Sequence, residues 1–142
     1  MKGYKIGIDP DTLELVLIEL EVPEEYPGRM IYEHEVKIFD PVWGDASTHP
    51  RIVKQYRANV ARVLKIQKTA TVINAFVGSA FSLHDTHFYY RLGEIVYPDN
   101  FDPDPDVVCT NGIHFFGTVK DAVEYTEDGW VRYIRSFILD SI

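Results

Sequence analysis

The chain has 142 residues, 46% of them apolar and 13% aromatic, with a formal net charge of −8 and a single cysteine. That length and apolar share specify one globular domain and exclude a disordered chain; the lone cysteine excludes an internal disulfide framework. The acidic balance excludes general nucleic-acid binding, because a phosphate backbone would be repelled by most of the surface.

In chain order, Tyr4–Val22 reads as a hairpin. Tyr4, Ile6 and Ile8 alternate with smaller or polar residues, Asp9–Thr12 (DPDT) supplies turn chemistry, and Leu13–Val22 is rich in strand formers. Leu13, Leu15 and Leu17 alternate with Val16, Ile18, Leu20 and Val22, so the second strand is apolar on both faces and is expected to be central or covered twice. A further strand is predicted around Met30–Phe39, followed by a loop through Pro50. Residues 51–68 fit two periods: Ile52, Tyr56, Val60, Val63 and Leu64 have helical spacing, whereas Ala61–Ile66 (ARVLKI) also fits a strand. Phe88–Pro98 is strand-like on both sides of Gly93, an acidic Pro–Asp loop follows, and Gly112–Phe116 (GIHFF) reads as a short strand. Thr118–Tyr125 is predicted helical, N-capped by Thr118 with Asp121 at the capping-box position. A last helix is expected in Trp130–Ile142, with Trp130, Ile134, Phe137 and Ile138 on one face. The order implies an α+β fold: a mostly antiparallel sheet with a short helix after the GIHFF strand and a C-terminal helix.

Three clusters carry chemistry-bearing residues. Asp99, Asp102, Asp104 and Asp106 offer carboxylates to a hard cation, but counting from Asp102 puts Val107 and Ile113 where a calcium loop needs glycine and glutamate. His84 and His87 stand three apart with no third ligand at metal spacing. Cys109 and His114 are a thiol and a base across a glycine turn, with nothing in the spacing to bring them within reach. No metal, cofactor or catalytic set is therefore expected.

Charge is uneven. Between Ala46 and Leu83 there is no Asp or Glu, while Arg51, Lys54, Arg57, Arg62, Lys65 and Lys68 all fall there. Such a segment suits either a compact anion or pairing with acids elsewhere in the fold. The candidate ligand-binding residues are Tyr56, Arg57, Arg62, Arg91, His114 and Phe116: cations for phosphate, with aromatic and imidazole rings beside them.

The sequence also resembles an uncharacterised domain of bacteriophages, large DNA viruses and bacterial pentapeptide-repeat proteins. The resemblance runs through Arg57, Ala58, Ala61, Val63 and Leu64, then Tyr90 and Gly93, then Phe101 and Asp102, and ends in Cys109 and Gly112–Phe116 of a C-x-x-G-I-H-F-F motif. Lys54 lies one residue upstream of the family's usual lysine position. The resemblance implies a viral or phage origin and brings no established activity with it. GIHFF, with the following Ala122 and Tyr125, is similar as well to the G-I-Y-F strand and helix of ADP-ribosyltransferases. That likeness would place His114 against nicotinamide and Arg57 or Arg91 on the nucleotide. It departs at the catalytic glutamate, because Glu124 and Glu127 fall in or beside the predicted helix.

The expected function is a non-enzymatic, phage-type accessory domain, homo-oligomeric, that binds a nucleotide-like anion or a host protein, with counter-defence as a concrete setting. The alternatives are an NAD-using transferase and a purely structural module. The N-terminus lacks a signal-peptide pattern and no apolar run has membrane-spanning length. The expected location is the cytoplasm, that of the host cell for a phage product, with no membrane partner.

Overall fold

The structure, a computed structural model, describes residues 1–38, 51–68, 75–83, 87–108 and 110–127. Among them are nine strands, β1 (Lys2–Ile8), β2 (Leu15–Glu21), β3 (Ile31–Ile38), β4 (Arg51–Ala58), β5 (Ala61–Lys68), β6 (Ser79–Ser82), β7 (Tyr89–Arg91), β8 (Ile95–Val96) and β9 (Ile113–Phe116), and one helix, α1 (Val119–Glu127). All strands join one antiparallel sheet in the order β3-β4-β9-β1-β2-β5-β8, with β6 and β7 branching from β1. No helix among the described residues is long and apolar enough to cross a membrane.

The β1–β2 hairpin forms as its pattern dictates. Asp9 Oδ1 accepts the Asp11 amide at 2.9 Å, the Asp9 amide donates to Glu14 O, and Leu13 takes a left-handed φ of 60° to close the turn. On β2, which lies between β1 and β5, Val16, Ile18 and Leu20 are fully buried while the residues between them are half-buried.

Residues 51–68, which fit both periods, are two strands. Ile52 is exposed and Tyr56 half-buried, so the helical set does not share a face. A bulge also breaks the strand period here, opposite Glu19 and Leu20, where Leu20 pairs with Val63 but Glu19 with Lys65. The unpaired Leu64 shifts the phase of the strand, so Val63 and Ile66, three apart, both point inward.

The β4–β5 link sets the curvature. Ala58 ends β4 and Ala61 begins β5, yet β9, β1 and β2 lie between these strands. Across a flat sheet those four inter-strand gaps would need roughly 19 Å. Three extended residues reach only about 11 Å. The sheet must therefore curl, and Ala58, Val60 and Ala61, all fully buried, sit in the core it wraps with Ile18, Ile113 and Phe115. A second, smaller cluster of Ile38, Val53, Phe116 and Ala122 packs α1 against the sheet.

Helix α1 starts as the sequence predicts, with the Asp121 amide donating to Thr118 Oγ1 at 3.1 Å. Arg51 bridges to Asp121 at 2.8 Å and also to Glu124. Because this pair is solvent-exposed, Arg51→Ala should cost less than about 1 kcal/mol, and less still at high salt, by chemical denaturation.

The α+β expectation is overturned. The described residues are essentially all-β, nine strands with the one short helix α1. The ambiguous window went to strands because β4 and β5 are held on both edges, by β3 and β9 and by β2 and β8. The C-terminal helix expected in Trp130–Ile142 lies outside the described residues.

Candidate functional site

Register places Tyr32, Arg57 and His114 side by side across β3, β4 and β9. Directly opposed residues share a face, and here all three meet the loop that runs from Phe101 to Asn111. The Tyr32 hydroxyl donates to Pro103 O at 2.7 Å, and His114 Nε2 lies 3.3 Å from Val108 O. Arg57 is fully buried. Its Nη1 donates to Asp102 O at 2.6 Å and Asn111 O at 3.0 Å, and its Nη2 to Asp104 O at 2.7 Å and Val107 O at 3.2 Å. The rings of Tyr32 and Phe101 lie 5.0 and 4.9 Å from its guanidinium carbon.

The acidic loop is thus gripped through its carbonyls. Two of its carboxylates serve the loop's own turns: Asp102 Oδ1 accepts the Asp104 amide, Asp104 Oδ1 accepts the Asp106 amide, and Asp102 Oδ2 accepts the Thr110 hydroxyl. The Asp104 amide and Thr110 hydroxyl hold the Asp102 carboxyl below its usual range, with Arg57 adding a smaller pull. No cluster of three metal-ligating side chains exists among the described residues.

The other sequence-selected residues are spread out. Tyr56 stacks on Phe115 at 5.5 Å between ring centroids, and Phe116 packs on Tyr125 at 4.9 Å. Arg62 pairs with Glu21 across β2 and β5 at 3.8 Å, and Arg91 lies over Tyr89 at 5.3 Å. In the basic window Arg51, Lys54, Arg62 and Lys68 each have an acidic partner, and Lys65 lies over the Phe76 ring. Of the window's cations, the one beside His114 is Arg57, and its guanidinium faces carbonyl oxygens.

His114 also borders a cleft of about 350 Å³, within the size range of small-molecule sites. Topology creates it. One edge of β1 is paired by β9 at Tyr4 and by β6 at Gly7 and Ile8. Where the edge passes from one partner to the other the sheet forks, and Lys5, Phe88, Tyr90, Asp99, Asn111 and His114 surround the opening.

Lys5 is the residue that the sequence reading passed over. Its Nζ donates to the Tyr90 hydroxyl at 2.7 Å and lies 4.8 Å from the centroid of that ring. No carboxylate stands within ion-pair distance of it among the described residues. Although the residue as a whole is only partly buried, desolvation of the ammonium pushes its pKa down to about 7. A signal was present in Gly3-x-Lys5-x-Gly7: glycines two residues away on either side leave space on the lysine's own face. That space is used, because a Cβ at Gly3 would strike the Phe115 ring and one at Gly7 would lie 2.7 Å from Ile18 Cδ1.

The lowered pKa gives a signed expectation. Between pH 7 and 10.5 the unfolded chain holds the Lys5 proton and the folded chain has shed it, so stability rises with pH across that window. Lys5→Met should flatten the rise and raise stability most below pH 7; equal pH slopes for the two proteins in denaturant titrations would refute it.

No curated protein and no solved structure matches the chain. A family model matches residues 41–122, which take in β4 through β9, the gripped loop and most of the cleft's walls. With more than half of its length matched, the chain belongs to DUF5758, a family of unknown function.

Proposed function

We propose that the protein is a non-catalytic accessory domain that binds a compact, nucleotide-like anion in the cleft between β6 and β9. The observation that carries this reading is Lys5: an amine on the wall of a ligand-sized cleft, with a tyrosine hydroxyl as its partner and no acid within ion-pair distance among the described residues. An incoming anion would favour the charged form of this desolvated amine and gain more from it than from a surface lysine. The half-buried Phe88 offers apolar ring surface, and the exposed carboxylate of Asp99 suits sugar hydroxyls at the rim. Phage or viral origin, attachment to pentapeptide repeats and a counter-defence setting are proposals resting on the sequence resemblance. So is self-association, for which exposed Phe76, Leu92 and Tyr97 offer apolar surface and light scattering is the test.

Thermal shift with nucleotides, cyclic dinucleotides and NAD derivatives tests the binding reading. At least one ligand should stabilise the protein and return chemically unaltered. Lys5→Met should remove the shift, while Arg62→Ala and Arg91→Ala, away from the cleft, should keep it. Loss of the shift on the arginine changes with Lys5→Met silent would place binding elsewhere. Release of nicotinamide from NAD would favour the transferase alternative. No stabilising ligand, together with capture of one host protein, would favour protein binding.

A further inference from the structure

We propose that Lys5 is a carbonyl-capturing amine: the cleft takes a small aldehyde bearing a planar ring and an anionic group, and Lys5 holds it as a reversible imine, with Tyr90 relaying the proton. This rests on the cleft being the ligand site and adds the bond by which it holds its ligand.

Three features of the site support the step. Lys5 lines a cleft of about 350 Å³, large enough for an aromatic aldehyde. The Tyr90 hydroxyl is already 2.7 Å from that nitrogen, within reach of an oxygen on the carbon under attack. No acid stands in ion-pair distance among the described residues, so no carboxylate there holds the amine in its charged form. Burial lowers its pKa to about 7, so a large fraction is neutral at physiological pH; an ordinary lysine, with a pKa of about 10.4, is less than about a thousandth neutral there.

The chemistry balances without an outside reagent. The neutral amine's electron pair forms the N–C bond to the aldehyde carbon as the carbonyl pair moves to oxygen, which takes a proton from the Tyr90 hydroxyl. The nitrogen then returns a proton to Tyr90, and the new hydroxyl takes up a further proton from solvent and leaves as water. Nitrogen's remaining pair completes C=N, and loss of the last N–H proton to solvent restores the count. One amine and one aldehyde give one imine and one water, with no change of oxidation state. Hydrolysis by the same path returns the aldehyde unaltered, so the domain captures without turning over.

Pyridoxal 5′-phosphate serves as the probe, since it joins an aldehyde to a ring and a phosphate. After brief incubation at neutral pH and borohydride reduction, peptide mass mapping should put the adduct on Lys5. Labelling there should be at least about tenfold faster than at the exposed Lys2, Lys37, Lys54 and Lys120. Tyr90→Phe should slow it by about tenfold or more, with a melting curve to check the fold. Labels distributed by exposure, or an unlabelled Lys5, would overturn the proposal. A parallel titration with pyridoxine 5′-phosphate, which lacks the aldehyde, follows cleft amide resonances by NMR. If it shifts them while Lys5 forms no adduct, the imine fails and the binding reading stands. If neither compound acts at the cleft, both fail.

Discussion

Arg57→Met should destabilise the protein by about 3–5 kcal/mol, the range seen when one partner is taken from a buried charged network. The substitution keeps the aliphatic stem and removes only the guanidinium. Four carbonyls, of Asp102, Asp104, Val107 and Asn111, then lose a donor at once, and the stacked Tyr32 and Phe101 rings lose the cation beside them. Against the roughly 5–15 kcal/mol that holds a domain of this size together, that loss is large. A fall in Tm of about 10–20 °C is expected. Amide exchange in the loop from Phe101 to Asn111 should rise more than in β2, because the grip on the loop is lost first. Arg57→Lys should recover little, since one ammonium cannot span four acceptors on two sides of a fork. A Tm within two or three degrees of the parent would show that the loop stays in place by its own turns.

Gly112→Ala should cost about 1–3 kcal/mol, the usual penalty for forcing an extra group into a packed interior. A Cβ there would strike Arg57 Cγ, lie 2.9 Å from Arg57 Cδ and lie 3.3 Å from Phe101 Cε2. The arginine stem cannot retreat while its head is fixed by four hydrogen bonds. The two positions are therefore coupled: in an Arg57→Ala background, with Cγ and Cδ gone, Gly112→Ala should be nearly silent. A double-mutant cycle measures this, and an interaction energy below about 0.5 kcal/mol would refute the interlock.

The interlock gives physical reasons for residues that the sequence reading took as a binding set or a motif. Arg57, Phe101, Asp102 and Gly112 form one latch that folds the acidic loop over the row of Tyr32, Arg57 and His114. Gly93, with a φ of 81°, lies between β7 and β8 and donates its amide to Val63 O, so it turns the chain back onto β5. Cys109 and the His84 of the histidine pair lie outside the described residues.

Much of the architecture is local and was legible in the sequence. Strict alternation, a DPDT turn and a threonine cap act within a few residues of chain, and the hairpin and α1 follow from them with ends displaced by one or two residues. The 51–68 window was not legible, because two strands joined by a two-residue link, the second carrying a bulge opposite β2, mimic the spacing of a helix. Only the partner strand shows where the phase slips.

The candidate site divides the same way. The sequence by itself determined that a glycine, a histidine and two phenylalanines stand together in the short GIHFF segment, a local fact; that Arg57 lies beside His114 was decided by the pairing of β4 with β9. Whether that arginine faces a ligand or the protein's own backbone depends on where the loop between β8 and β9 lands, and register across β3, β4 and β9 decided it. Lys5 and Tyr90, which are 85 residues apart, meet only because β6 and β9 share one edge of β1 and leave a fork between them. A lysine two residues from a glycine on either side reads as an ordinary polar strand position until that fork desolvates it.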